Sequence, residues 1–232
     1  VGYMHLDFKK IKLQRDKVKN ILRIGLPAGL QGIVFGISSV LIQSSINTFG
    51  SLVIAGNTAA INIESFVYMS MNAFYQSTLS FTSQNMGAKK YHRLDKILLQ
   101  GLGIVTVVGF VLGVGAYALG NILLGIFTDK PEVIMYGLNR MKIISVTYLL
   151  CGLMDVMVGA MRGIGYSILP MIVSLVGACG LRILWIYTVF VKFRTLDILF
   201  ISYPVTWTIT FLSHLVCYYI VTRKYKDKFR EG

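Results

Sequence analysis

The chain has 232 residues, 55% of them hydrophobic and 14% charged, where a soluble domain carries about 25% charged residues. That balance excludes one water-soluble core and indicates a membrane protein. The formal charge of +13 is spread between apolar blocks, which argues against a nucleic-acid partner. Cys151, Cys179 and Cys217 lie inside apolar runs without metal-ligand spacing, so neither a disulfide framework nor a zinc site is expected.

Residues 1–23 read as a cytoplasmic or interfacial linker. HLDFKKIKLQRDKVKNILR sets Phe8, Ile11, Val18 and Leu22 at helical spacing on a basic background, the pattern of an interfacial helix or of a plain basic linker. The first residue is Val1 and no signal peptide precedes the first apolar block, so a fragment with an upstream part missing is expected. Residues 24–222 hold six predicted spans, at Ile24–Thr48, Leu52–Asn85, Ile97–Phe127, Lys142–Met161, Ile168–Val191 and Ile198–Val221. Each run is far longer than a barrel strand of about 10 residues and lacks its alternation, so the fold class is all-α, a bundle of six transmembrane helices. Residues 223–232 form a basic tail. Lys9, Lys10, Lys12, Arg15, Lys17, Lys19 and Arg23 precede the first span; Lys89, Lys90, Arg93 and Lys96 follow the second; Arg162 follows the fourth; Arg223, Lys224, Lys226, Lys228 and Arg230 follow the sixth. The opposite loops hold Lys130, Lys192 and Arg194, so both termini are expected to be cytoplasmic.

In the third span, Gly109 and Gly113 of GFVLGVGAYALG have the spacing that lets helices approach closely. Pro27 and Pro170 fall near the cytoplasmic starts of their spans and Pro204 near the outer start of the last, where proline is tolerated. No phosphate loop, HExxH or GxSxG motif occurs, and His5, His92 and His214 show no ligand spacing. The chain therefore does not read as an enzyme; an intramembrane hydrolase would need a matched aspartate pair or a nucleophile and base. His214 reads as a packing residue rather than a proton relay.

An ionisable group at a span centre costs about 2.5–3.5 kcal/mol on insertion scales, so Glu64, Asp155 and Arg182 call for explanation. At 100° per residue, Asn57, Tyr68, Tyr75, Thr78 and Thr82 fall within about 40° of Glu64. This stripe is either a cavity wall or an interhelical polar seam. Its carboxylate, amide and hydroxyl oxygens suit a hard cation, and its tyrosines suit hydrophobic or cationic ligands. Tyr148, Gly152, Gly159 and Arg162 lie within about 60° of Asp155, whereas Leu150, Met154, Met157 and Met161 form the far face. Asp155 is thus expected to face the bundle interior or a wet cavity, binding a cation, bonding across helices or pairing with an arginine. Arg182, in LVGACGLRILWIY, either neutralises a carboxylate or snorkels outwards.

Three stretches carry a resemblance: ILRIGLPAGLQ, AGNTAAINIESFVYMSMNAFYQSTLSFTSQNMGAKKYHRLDK, and LMDVMVGAMRGIGYSILPMIVSLVGACGLRILWIY. In this order they resemble the multidrug and toxic compound extrusion (MATE) family of secondary transporters over nearly the whole chain. The resemblance implies the C-terminal six-helix lobe of a twelve-helix transporter, with the N-terminal lobe as its missing partner. It implies export of organic, often cationic or amphipathic, small molecules across the plasma membrane, driven by inward Na⁺ or H⁺, with no other cofactor. Asp155, within MDVMVGAMRG, matches the aspartate of the family's second-lobe cation site, which holds Na⁺ or a proton. The chain departs from some sodium-coupled relatives, which place a glutamate on the seventh helix opposite that aspartate; here Ile24 to Ser51 contains no acidic residue. Glu64 is the carboxylate expected to substitute. Two other readings stand beside this one: a flippase for a lipid-linked precursor, which predicts a wide basic cavity, and a non-transporting membrane scaffold.

Overall fold

The computed structural model describes residues 14–230. The chain runs as α1 (Arg15–Asn47), α2 (Ser51–Gly87), α3 (Leu94–Ala118, entered through the 3₁₀ turn Tyr91–Arg93), α4 (Gly120–Gly125), α5 (Pro131–Gly163), α6 (Ile168–Phe193) and α7 (Leu196–Arg230). Six of these helices are long and apolar enough to cross a membrane, with α4 the short exception. Phe8 and Ile11, on which the interfacial-helix expectation partly rests, lie outside the described residues. From Arg15 the linker and the first span form one helix, unbroken at residue 23 and continuing past the buried Pro27.

The last helix continues to Arg230, past the predicted end of its span at Val221, and the boundaries of the third and fourth spans move as well. The third span was expected to continue to Phe127, but it ends at Ala118, and Leu119 leads into α4, whose Gly120 seats beside Leu138 of α5. The fourth begins at Pro131, about three turns before the predicted Lys142, with proline at the first helical turn where its missing N–H costs nothing. This shift carries Arg140 into the bundle. α5 ends in a left-handed cap: Gly165 has φ +102°, its N–H bonds the Arg162 carbonyl at 2.9 Å, and the Tyr166 N–H bonds the Met161 carbonyl at 3.0 Å. The exit of α2 has the same form, but with Lys89 at φ +56° where glycine is usual.

The most buried span, α5, packs against α2, α3 and α7, while α1 is the least buried. Met154, Met157 and Met161, assigned by the wheel to the face away from Asp155, are all within the core. α5 is therefore covered on both sides rather than amphipathic. One apolar cluster joins α2, α3 and α5, with Tyr218 and Val221 of α7; the other joins α1, α5, α6 and α7 through Ile42, Ile144, Met154, Ala178 and Phe200. Gly109 has the close-packing role its spacing predicts: a Cβ there would lie 3.0 Å from the Leu149 Cα, and one on Gly113 would collide with the Ser145 carbonyl. Large apolar side chains such as Phe66 and Ile126 point outwards, as a hydrocarbon environment requires.

Candidate functional site

Among the described residues, two carboxylate–arginine arrangements lie inside the bundle. In the first, Glu64 of α2 meets Arg140 of α5. Arg140 Nη2 lies 2.7 Å from Glu64 Oε2, Nε donates to both carboxylate oxygens at 3.1 and 3.2 Å, and Nη1 donates to Asn57 Oδ1 at 2.8 Å. Ser145 Oγ donates to Glu64 Oε1 at 3.4 Å, and Asn57 Nδ2 donates to Gln43 Oε1 of α1 at 3.1 Å. Glu64 and Arg140 are 3% and 4% exposed, so the pair is desolvated and each charge relies on the other. The guanidinium also lies over the rings of Phe200 and Tyr203, at 5.6 and 5.5 Å from their centroids. A cavity of about 450 Å³ opens beside this pair, with Gln43, Tyr68, Tyr148 and Tyr203 in its wall.

The second arrangement surrounds Asp155. A cavity of about 230 Å³ lies between α1, α2 and α5, lined by Gln31, Phe35, Tyr68, Asn72, Tyr75, Asp155 and Arg162 among others. Asp155 Oδ2 is buried and has no hydrogen-bond partner. Two turns along the same helix, Arg162 is also buried, with Nη1 donating to Tyr75 Oη and Nη2 to Gln31 Oε1, both at 2.7 Å. Its Nε has no partner. Gly159, between the two, lets α5 sit directly on α2: a Cβ there would lie 2.8 Å from the Tyr75 carbonyl oxygen. A carboxylate with a free buried lone pair, near hydroxyl and amide groups, is chemically suited to bind Na⁺ or hold a proton.

The expected stripe on α2 divides along its length. Asn57 and Glu64 join the Arg140 network, while Tyr68 lines both cavities and Tyr75 lines the one at Asp155. Thr78 and Thr82 do not line either cavity; Thr78 packs against Gly101 of α3 and Thr82 against Gly163 of α5, whose missing side chains close the space. Tyr148 reaches the larger cavity and meets Trp207 edge-on at 5.4 Å. Arg182 is buried, donates through Nη2 to Thr206 Oγ1 at 3.0 Å, and lies 4.0 Å from the Tyr203 ring centroid. Its hydrogen bond is thus to a hydroxyl rather than a carboxylate, and its burial excludes snorkelling. The neutralisation of a carboxylate expected of Arg182 is performed instead by Arg140, which faces Glu64 across the α2–α5 contact. His214 is fully buried beside Ser174 Oγ, 3.1 Å from Nε2.

Arg140, Arg162, Gln31, Gln43, Asn72 and Tyr203 were not assigned to a site from sequence. Arg162 was read both as a basic marker after the fourth span and as a member of Asp155's face; it is 8% exposed and ties α5 to α1 and α2. The available signal was the pair of glutamines, Gln31 and Gln43, inside the first span.

The MatE family model matches residues 27–188. The chain belongs to the MatE family. It is 24% identical over 217 residues to a probable multidrug resistance protein, YoeA, of Bacillus subtilis strain 168, covering 92% of this chain and 46% of that protein. It is 24% identical over 210 residues to a probable multidrug resistance protein, NorM, of Thermotoga maritima, covering 90% and 45%. This MatE chain spans about half the length of the curated relatives it matches. Among solved structures, it resembles the bent form of the MATE transporter VcmN of Vibrio cholerae, with a TM-score of 0.82 at 17% identity over 94% of this chain and 50% of that one. It also resembles a superfamily transporter of Pyrococcus furiosus, whose structure is described as having a binding pocket of reversed polarity. There the TM-score is 0.86 at 17% identity, over 97% and 51% of the two chains. The fold is therefore a six-helix half of the MatE architecture in a multi-pass membrane protein.

Proposed function

We propose that this chain is the C-terminal lobe of a cation-coupled antiporter that exports organic, often cationic or amphipathic, compounds, with Na⁺ or a proton bound at Asp155. The supporting observation is the buried, unpartnered Asp155 Oδ2 at a cavity between three helices. Glu64 carries a charge that Arg140 already neutralises, so in this reading it anchors the bundle rather than sharing the cation. Tyr68, Tyr75 and Tyr148 offer aromatic surface to the substrate. The cation stabilises one arrangement of the two lobes and substrate the other, so that exchange at a shared path alternates access. Both termini lie on the cytoplasmic side of the plasma membrane, as the basic loops favour, and the N-terminal lobe is the partner that completes the substrate path. Asp155→Asn in the full-length protein abolishes ion-driven efflux while leaving expression and folding intact; unchanged drug resistance in cells carrying it overturns the reading.

A second reading, an anionic or lipid-linked substrate, is favoured by one observation: among the described residues the interior holds three arginines, Arg140, Arg162 and Arg182, against the carboxylates of Glu64 and Asp155. Competition assays with a cationic dye and an amphipathic pyrophosphate distinguish the two, since only the substrate class actually carried inhibits transport.

A further inference from the structure

The cavity at Asp155 contains two unsatisfied polar atoms of opposite character. Asp155 Oδ2 is a buried acceptor without a donor, and Arg162 Nε is a buried donor without an acceptor. Both residues belong to α5 and line the same cavity. Seven residues apart, they share a helix face, separated by about 10.5 Å of helical rise. Because Cβ atoms tilt towards a helix's N-terminus, the Arg162 side chain leans back over the turn that leads to Asp155. It is held short of the carboxylate by Gln31 of α1 and Tyr75 of α2, which occupy its terminal nitrogens at 2.7 Å each. The titratable groups facing this space are Asp155 and Arg162 of α5 and Tyr68 and Tyr75 of α2; α1 contributes no charged side chain. His214, on α7, is engaged with Ser174 of α6.

We propose that Arg162 is a coupling residue: it competes with the transported cation for Asp155, and the contact it gives up in doing so is its bond to Gln31 of α1. This rests on the reading of Asp155 as the cation site. With a cation or proton on Asp155, the guanidinium has no reason to leave its neutral partners, and α1 is tied to α5. With Asp155 ionised and empty, the guanidinium moves onto it, exchanging hydrogen bonds to neutral acceptors for one to a carboxylate, in which donor and acceptor are both charged. The carboxylate is then neutralised internally, so the cation-free protein holds no unpaired carboxylate in the membrane. α1, the least buried span, is simultaneously released at Gln31. A cation that binds only the tied state has an apparent affinity reduced by the fraction of protein in which Arg162 has moved.

This linkage predicts changes of opposite sign from the two ends of one hydrogen bond. In the full-length transporter, binding of radioactive Na⁺ is measured at alkaline pH, and proton release is measured in parallel without Na⁺. Asp155→Asn abolishes binding of the coupling ion in whichever assay detects it. Arg162→Gln removes the competitor and tightens binding about tenfold. Gln31→Leu, which changes no charge, frees Arg162 to compete and weakens binding severalfold. Arg162→Lys weakens it too, since the ammonium retains the charge but cannot bridge Gln31 and Tyr75; a purely electrostatic role leaves this variant like wild type. If Asp155→Asn abolishes binding but Gln31→Leu and Arg162→Lys stay within about twofold of wild type, or all variants shift in one direction, Arg162 is not a competitor and the inference fails while the cation site stands. If Asp155→Asn binds both ions normally, the cation-site reading fails and this inference with it. Should Arg162→Gln fail to fold, Gln31→Leu and Arg162→Lys decide the matter.

Discussion

The bundle contains the same two chemical groups in two different settings. Glu64 and Arg140 face each other across neighbouring helices, and the guanidinium fork meets the carboxylate directly. Asp155 and Arg162 sit on one helix, two turns apart, and neither completes its hydrogen bonding with the other. The first arrangement uses its charges to join α2 to α5. The second leaves a carboxylate available and an arginine occupied by neutral groups on α1 and α2. An ion pair made across helices has its geometry set by packing and is closed to competitors. A carboxylate whose nearest arginine lies along its own helix remains open to ligands.

Mutations sharpen this contrast, beginning with the closed pair. Arg140→Leu or Glu64→Leu strands a buried charge and is expected to cost about 3–5 kcal/mol, seen as loss of monodisperse protein and a lower Tm in detergent. The double Leu variant recovers much of that loss; if it is no better than the singles, the pair is not coupled as described. Gly159→Leu drives a side chain into the Tyr75 carbonyl and is expected to cost about 1–3 kcal/mol, while also disrupting the wall of the Asp155 cavity. Tyr75→Phe removes one hydrogen bond from Arg162, with an expected cost of about 0.6–1.7 kcal/mol by thermal unfolding. Asp155→Asn, the counterpart of the Glu64 change, is expected to alter stability by less than about 1 kcal/mol because no bond to Oδ2 is lost. A loss as large as that at Glu64 would erase the distinction between the two settings. Lys89→Gly, remote from both, is expected to stabilise by about 0.4–1 kcal/mol by relieving a left-handed non-glycine residue, giving a baseline for ordinary backbone effects.

The division into six helices was legible from apolar runs alone, as was the inward orientation of Asp155 from the small and polar residues on its face. Arg140 was not, for a physical reason. A window that sums transfer costs residue by residue treats an arginine as a boundary, whereas in the fold its charge is cancelled by Glu64, 76 positions away in sequence. The fourth span was therefore started too late, and Glu64 appeared to be a free carboxylate. Arg162 was legible as a member of Asp155's face, but not as a tie between helices, because a basic residue at a helix end resembles a topology marker until Gln31 and Tyr75 are seen to hold it. The α2 stripe was correct as a helical face but not as one cavity wall, since the wheel does not record where glycines of α3 and α5 press against Thr78 and Thr82.

The wheel has a different weakness in α6, where the i+5 pattern replaces the α-helical one over Leu175–Gly180 and Ile186–Phe190, on either side of Arg182. Each wide turn accommodates a residue beyond the regular repeat, so side chains after it are rotated relative to those before by about 100°. Arg182 follows the first of these turns and reaches Tyr203 and Thr206. Chain length in this helix is consequently a structural variable in its own right. Deleting a single apolar residue such as Val176 is therefore expected to convert the wide turn into a regular one with Arg182 still at the aromatic rings, whereas the same deletion in a regular stretch of helix would swing the side chains beyond it by about 100°.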